Sequence, residues 1–192
     1  MVNQILKINI LLFLPLFFTC CREFSQPKPR AMLRLKYPSP NYVKSSGHYP
    51  FNFEINNRAI LKKTSKKAPD IFYPDLKATI YMSYIKVENN IDSLLNDAYK
   101  LTLKHMIKAE EIPERIFQSP NYRVYGTLYK IIGNAASQLQ FFLTDSNKNF
   151  LIGSLYFYSK PNYDSIMPAS EYIEKDVVHL METFRWSEEY LK

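Results

Sequence analysis

Glycine is scarce in this chain, with four in 192 residues, and cysteine is scarcer, with two that are neighbours, Cys20 and Cys21. Adjacent cysteines rarely bridge each other, because the geometry strains the backbone. The region behind them therefore has no disulfide framework, no thiolate metal site and no cysteine nucleophile. The three histidines, His48, His105 and His179, lie far apart, and none has a paired-ligand spacing, so no metal site is expected. There is no GxSxG elbow, no GxxxxGK[ST] phosphate loop and no GxGxxG turn. No catalytic residue is assigned on these grounds, and no cofactor is expected. Internal repeats and low-complexity segments are missing too. No apolar run reaches the roughly 20 residues that span a bilayer comfortably.

What the chain does have is aromatic side chains: 15 Tyr and 13 Phe, within a composition that is 46% hydrophobic. Tyr and Phe suit half-buried pleated surfaces, so this composition points to a folded domain with β-structure and not to disorder. The formal net charge is +7, and Lys7 is the only charge in residues 1–20. A basic balance can mark nucleic acid, anionic headgroups, an acidic partner or a solubilising surface. Most of the basic residues here are scattered. The densest cluster, KKTSKK (62–67), is followed by Pro69 and reads as a solvated loop. No RNA-binding aromatic signature accompanies it, so no nucleic-acid partner is expected.

Residues 1–19 have a weakly positive start and an apolar run from Ile8 to Phe18, interrupted by Asn9 and Pro15. That is the length of a signal-peptide core. The run ends in Phe-Phe-Thr-Cys-Cys (17–21), which resembles the lipobox of bacterial lipoproteins, where a cysteine thiol takes a diacylglycerol and becomes the mature N-terminus. Thr19 stands where a small residue is usual if Cys20 is acylated, and Cys20 stands there if Cys21 is. Both cysteines remain candidates. The organisation expected is 1–20 lipoprotein signal peptide, 21–30 tether, and 31–192 one α+β envelope domain. Pro27 and Pro29 make the tether a semi-rigid spacer. Three acyl chains, of the palmitate kind, would hold the protein firmly at a membrane.

Further on, Leu33, Leu35 and Tyr37 alternate with charged residues and predict a first edge strand, and YPFNFEI (49–55) predicts a second short strand. Four stronger strands follow, at 78–87, 122–131, 138–144 and 150–158. The last two are joined by Asp145-Ser-Asn-Lys-Asn149, a run of turn formers that reads as a β-hairpin. Helical spacing of Ile91, Leu94, Leu95, Ala98, Leu101, Met106 and Ala109 predicts a helix from about 91 to 111, with Asn90 as N-cap and Pro113 behind it. A second helix is predicted from Pro168, a proline suited to a first turn, to about Arg185-Trp186. The fold expected is α+β: a mainly antiparallel sheet of about five to six strands packed against two long helices. It is similar to the PsbP/Mog1-like fold, by analogy only.

A few residues invite a chemical reading. His105 lies along the apolar face of the first predicted helix and reads as a buried, hydrogen-bonded side chain. Asp176 sits on the apolar stripe of the second, where a carboxylate is costly unless paired. It reads either as a tie to a nearby Lys or Arg or as a catalytic acid, though no second carboxylate stands at a useful spacing. The stretch GNAASQLQF (133–141) places Asn134 and Gln138 either in a tight loop before a strand or around a polar ligand. Tyr156, Tyr158 and Tyr163 flank a turn-rich stretch. Together Asn134, Gln138, Tyr156, Tyr158 and Tyr163 form the candidate contact surface, since Tyr-rich loops make good contact patches. The three tyrosines would also serve as stacking surface in a small-ligand or glycan-binding module. An envelope hydrolase is a third reading, opposed by the missing catalytic motifs.

At PKPRAMLRLKYPSPNY (27–42), YPDLKATIYMSY (73–84), IDSLLNDAYKLTLKHMIKAEEI (91–112), YGTLY (125–129) with IIGNAASQLQFFLTDS (131–146), and FLIGSLYFYSKPNYDSIMPASEYIEKDVVHLMETFRW (150–186), the chain resembles the gliding-motility lipoprotein GldD family of Bacteroidetes. The resemblance implies a cell-envelope lipoprotein required for gliding, linked to the type IX secretion machinery that exports surface adhesins. It carries no enzymatic activity and no residue role beyond the lipid-bearing cysteine. The partners it implies are the membrane, through the N-terminal lipid, and other gliding and secretion proteins of the envelope. Few acidic residues follow Cys21, so the domain is expected on the periplasmic side.

Overall fold

Alternation of core and surface side chains sets the centre of the molecule. A computed structural model describes residues 36–64, 67–160 and 162–188. Seven antiparallel strands form its main sheet. In chain order the elements are β1 (Tyr42–Lys44), β2 (Phe51–Asn52), β3 (Glu54–Asn56), β4 (Ile60–Lys62), β5 (Asp70–Tyr73), β6 (Ala78–Lys86), α1 (Ile91–Leu103), β7 (Ala109–Glu111), β8 (Glu114–Ser119), β9 (Val124–Lys130), β10 (Ile132–Gly133), β11 (Ser137–Thr144), β12 (Asn149–Phe157), α2 (Tyr163–Thr183) and β13 (Arg185–Trp186), with a short 3-10 turn at Pro120–Tyr122. The main sheet runs β4-β5-β6-β12-β11-β9-β8. The remaining short strands form three two-stranded pairs: β1 with β3, β7 with β10, and β2 with β13.

The period of two in each strand sorts the side chains onto two faces. One face carries Ile80 and Met82 of β6, Leu139, Phe141 and Leu143 of β11, and Leu151 and Leu155 of β12, all buried. Helix α2 closes over it with Ile173, Val177, Leu180 and Met181. An aromatic group seals the end of this core: the Phe51 and Phe184 rings lie 5.1 Å apart, and Trp186 meets Phe184 edge-on at 4.7 Å. Helix α1 lies against the opposite face. There Ala98, Leu94 and Leu95 pack with Phe142, Phe150, Ile152 and Ile85 in a smaller cluster. The two helices thus cover opposite faces of one sheet.

The α+β class and the antiparallel sheet stand as expected, and the details differ. The sheet has seven strands, not five to six; β4, β5 and the edge strand β8 are short or largely polar, so alternation alone does not announce them. Segment 49–55 is not one strand: β2 pairs with β13 and β3 with β1. Helix α1 ends at Leu103, eight residues early. The turns that follow close with i→i−3 bonds such as His105 N–H to the Thr102 carbonyl, and residues 109–111 pair with β10 instead. Helix α2 starts at Tyr163, five residues before Pro168, which falls inside it. A proline so near the N-terminus removes one N–H that would have met the Asp164 carbonyl, and the helix tolerates that loss in its second turn. The predicted edge strand at 33–37 lies mostly outside the described residues. No helix among the described residues is long and apolar enough to cross a membrane.

Candidate functional site

Among the described residues, α1 covers one end of its face of the sheet. At the other end β6 turns Thr79 and Tyr81 outward, and β12 turns Ser154 and Tyr156 outward in register with them, Tyr156 opposite Thr79 and Ser154 opposite Tyr81. Phe72 of β5 also stands opposite Thr79, and Ile60 of β4 stands opposite Phe72. The result is an aromatic tract across four strands. Tyr158 is 57% exposed, Ile60 51% and Tyr81 37%.

The tract is ordered by its own contacts. The Tyr158 hydroxyl lies 2.7 Å from Thr79 Oγ1 and 3.2 Å from the Tyr81 hydroxyl. Tyr81 meets Tyr156 edge-on at 5.8 Å, and Phe72 meets Tyr158 edge-on at 6.3 Å. The Lys62 ammonium sits 3.5 Å above the centre of the Phe72 ring, within cation–π range. Hydrogen bonding from Thr79 and Tyr81, with the nearby Lys62 charge, holds the Tyr158 hydroxyl below its ordinary pKa, and the bond to Tyr158 raises that of Tyr81. Tyrosines held this way present rigid amphipathic area at low entropic cost, the property that enriches them at interfaces.

Of the five residues singled out from sequence, Tyr156 and Tyr158 fall in this tract, and the other three do not. Gln138 is 1% exposed; it lies in a bulge of β11, and its side-chain amide donates to the Ala135 carbonyl at 2.9 Å. Asn134 Oδ1 accepts the backbone N–H of Tyr163 at 2.8 Å, so it caps the first residue of α2. Tyr163 stands at that helix start, near Lys130, Glu171 and Glu174. The distinctive 133–138 loop is thus spent on local structure. Sequence alone does not mark Ile60, Lys62, Phe72 or Tyr81 as members of this tract. The alternation in β6 was the available signal, since it places Thr79 and Tyr81 on one face, but their neighbours come from strands that sequence did not reveal.

Asp176 is 4% exposed, and its partners are hydroxyls and an amide, not the Lys or Arg expected. Tyr42 donates to Oδ1 at 2.9 Å, Asn56 Nδ2 donates to Oδ2 at 3.0 Å, and Tyr73 adds a third hydroxyl. Burial pushes this carboxyl above the ordinary range, and the three donors pull against that. The acceptor capacity of Asp176 is committed to the fold, and among the described residues no second carboxylate joins it. His179 sits beside this group, stacked on Tyr42 with ring centres 3.6 Å apart and 2.8 Å from Glu54 Oε2. His105 is half-buried beyond the end of α1. Its Nε2 lies 2.9 Å from the Gln140 side-chain nitrogen, an N–H donor, so the ring accepts there and is neutral. Burial lowers its pKa accordingly. Among the described residues no three His, Cys, Asp or Glu side chains are placed to hold a metal ion.

No curated protein matches the chain. Among protein families, the one described as gliding motility lipoprotein GldD matches residues 22–186.

Proposed function

This chain belongs to the gliding motility lipoprotein GldD family, and from that premise we propose that it is a non-enzymatic, lipid-anchored protein of the cell envelope that supports the gliding and type IX secretion apparatus by docking a partner protein on its open sheet face. The observation that carries this reading is the aromatic tract in which Tyr81, Tyr158 and Ile60 are exposed and Phe72 and Tyr156 are half-buried beside them. Soluble proteins rarely leave contiguous apolar area uncovered without a use for it. The family match begins at residue 22, directly behind Cys20 and Cys21, which supports a mature chain that starts at one of those cysteines. The tether would confine the domain to the membrane surface and raise its effective concentration near partners there. The domain faces the periplasm in this reading.

The test is complementation of a gene deletion. The deletion abolishes colony spreading and secretion of the exported adhesins, and the wild-type gene restores both. The pair Tyr81→Ala with Tyr158→Ala, at exposed positions, leaves folding and membrane fractionation unchanged and fails to restore spreading. Normal spreading in the deletion strain overturns the role in gliding. Full rescue by the tyrosine pair overturns the docking face.

A further inference from the structure

The lysine loop that sequence marks as a solvated run has company in the structure. Four segments at one end of the main sheet enclose a cleft of about 780 Å³: the turn at 48–50 before β2, Lys63, Thr64 and Lys67 between β4 and β5, the end of β6 with the turn behind it, and the β11–β12 hairpin turn. That volume lies in the range of sites that hold small molecules. Lys63 and Lys67 come from the β4–β5 loop, Lys86 from β6, and Lys148 from the hairpin, with His48 added from the first turn. Against four lysines, the described lining residues include one acid, Glu88.

Two features separate this cleft from a solvated charge run. The first is convergence. Lys63 and Lys67 share one loop, while Lys86 and Lys148 come from two segments distant in sequence, and all four face one space, where they repel one another. Lys63, Lys67 and Lys86 form no ion pair among the described residues. The second is a prepared floor. Pro50 and Val87 are buried, and the half-buried Tyr84 donates its hydroxyl to Asn149 Oδ1 at 2.7 Å. Asn149 in turn donates from Nδ2 to Asp145 Oδ2 at 2.7 Å, so the floor is fixed from behind.

The ligand class follows from the donors. Among the described residues no arginine lines the cleft. Planar, bidentate capture of a carboxylate is arginine chemistry, whereas several lysine point charges around one space suit a compact, multiply charged phosphate. We propose that this cleft binds a phosphate-bearing ligand, the phosphate held by Lys63, Lys67, Lys86 and Lys148 and the rest of the ligand resting on Tyr84, Pro50 and Val87. The ligand is a free phosphate ester or a phospholipid headgroup; both present the same group. This site is independent of the aromatic tract and of the gliding role.

Calorimetric titration of the purified full chain in neutral detergent tests it. The probes are inorganic phosphate, glycerol 3-phosphate and dihexanoyl-phosphatidylglycerol, with succinate as a carboxylate comparison. The expected result is saturable one-to-one binding of at least one phosphate probe, weakened about tenfold or more by the combined changes Lys63→Gln, Lys67→Gln, Lys86→Gln and Lys148→Gln. Preference for the soluble esters or for the short-chain lipid tells the two sources apart. The pair Lys63→Gln with Lys67→Gln touches the loop alone and shows a smaller loss in the same direction, so the result does not hang on the fourfold variant folding. Lys36→Gln, Lys44→Gln, Lys104→Gln and Lys160→Gln together remove the same charge elsewhere and leave binding unchanged. The assignment is overturned by no saturable phosphate binding, by succinate binding as tightly as phosphate, or by equal losses in the two fourfold variants.

Discussion

The Tyr42 hydroxyl donates to the Asp176 carboxylate at 2.9 Å, across 134 residues of chain. The bond ties β1, near the beginning of the described chain, to the middle of α2. Stacking of Tyr42 on His179 and of Tyr37 on Tyr172, ring centres 4.9 Å apart, adds to it. Three residues of strand cannot hold a segment by themselves, so these contacts fix β1 against α2.

Tyr42→Phe keeps the ring and removes one donor to a buried carboxylate, which costs about 1.5–3 kcal/mol. Asp176→Ala leaves the Tyr42, Asn56 and Tyr73 donors without their acceptor and costs at least as much. Denaturant unfolding of both single variants and the double variant should give a coupling energy well above zero; additive losses would show that the bond contributes nothing. The pH behaviour has a definite sign. Burial raises the folded-state pKa of Asp176, so the folded protein takes up a proton more readily than the unfolded chain. This group's contribution is therefore fully present below the unfolded value of 3.8 and is lost as pH rises through the raised folded value. Tyr42→Phe removes a donor that lowers that pKa, so an NMR titration of the Asp176 carboxyl carbon should move upward in the variant.

Asp145 behaves in the opposite way. It begins the β11–β12 turn, and its Oδ1 accepts the backbone N–H groups of Asn147, Lys148 and Asn149 at 3.0, 2.8 and 2.8 Å. Burial alone would raise its pKa; the bonds from Asn149, Asn147 and Lys148 outweigh that and hold it below the ordinary value. Asp145 stabilises the fold fully above the unfolded value of 3.8, and the contribution fades as pH falls through the depressed folded value. Asp145→Ala is expected to cost about 2–3 kcal/mol at pH 7. In urea unfolding the gap between wild type and variant should narrow in strong acid; a gap that does not change with pH would mean that the carboxylate charge is irrelevant to the turn.

How far sequence reaches is set by range. The β11–β12 hairpin is legible because its turn is closed by residues inside five positions, Asp145 to Asn149. Helix α1 is legible at its start and misread at its end, because Met106 and Ala109 keep helical spacing while Ala109 in fact pairs with Gly133. Met106 and Ile107 are exposed there, 58% and 91%, so the periodic pattern continued past the surface it was meant to bury. Asp176 shows as an acid on an apolar stripe, but its partner Tyr42 sits in a strand too short to predict. Asn134 stays open between loop structure and ligand contact in sequence, because capping at a distance of 29 residues leaves no local pattern. The lysine cleft is the extreme case: its loop is visible in sequence, and the Lys86 and Lys148 that make it a cleft are not.

Two glycines sit where a side chain has no room. A Cβ on Gly153, in the middle of β12, would run into the ring of Phe141, which is 2% exposed. A Cβ on Gly126, in β9, would run into the backbone carbonyl of Phe142. A ring has some freedom to shift and a paired strand has little. Gly153→Ala is expected to cost about 1–3 kcal/mol and Gly126→Ala more. Thermal unfolding of the two variants orders them; equal or reversed losses would show that β9 and β11 separate more easily than their register suggests.

The anchoring reading is tested at Cys20 and Cys21, which lie outside the described residues. Two or more acyl chains hold a protein at a bilayer, whereas a single chain binds only marginally. Among the described residues no helix is long and apolar enough to take over that task. The double change Cys20→Ser with Cys21→Ser should therefore move the protein from the membrane to the soluble fraction and abolish labelling by an alkyne fatty acid. Of the two single variants, the one that removes the acylated thiol should reproduce the double variant, and the other should label and sediment as wild type, which identifies the site. The domain itself should stay folded throughout, because the core that residues 51–186 build does not involve either cysteine. A double variant that still sediments with membranes and still takes up label would show that neither thiol carries the lipid.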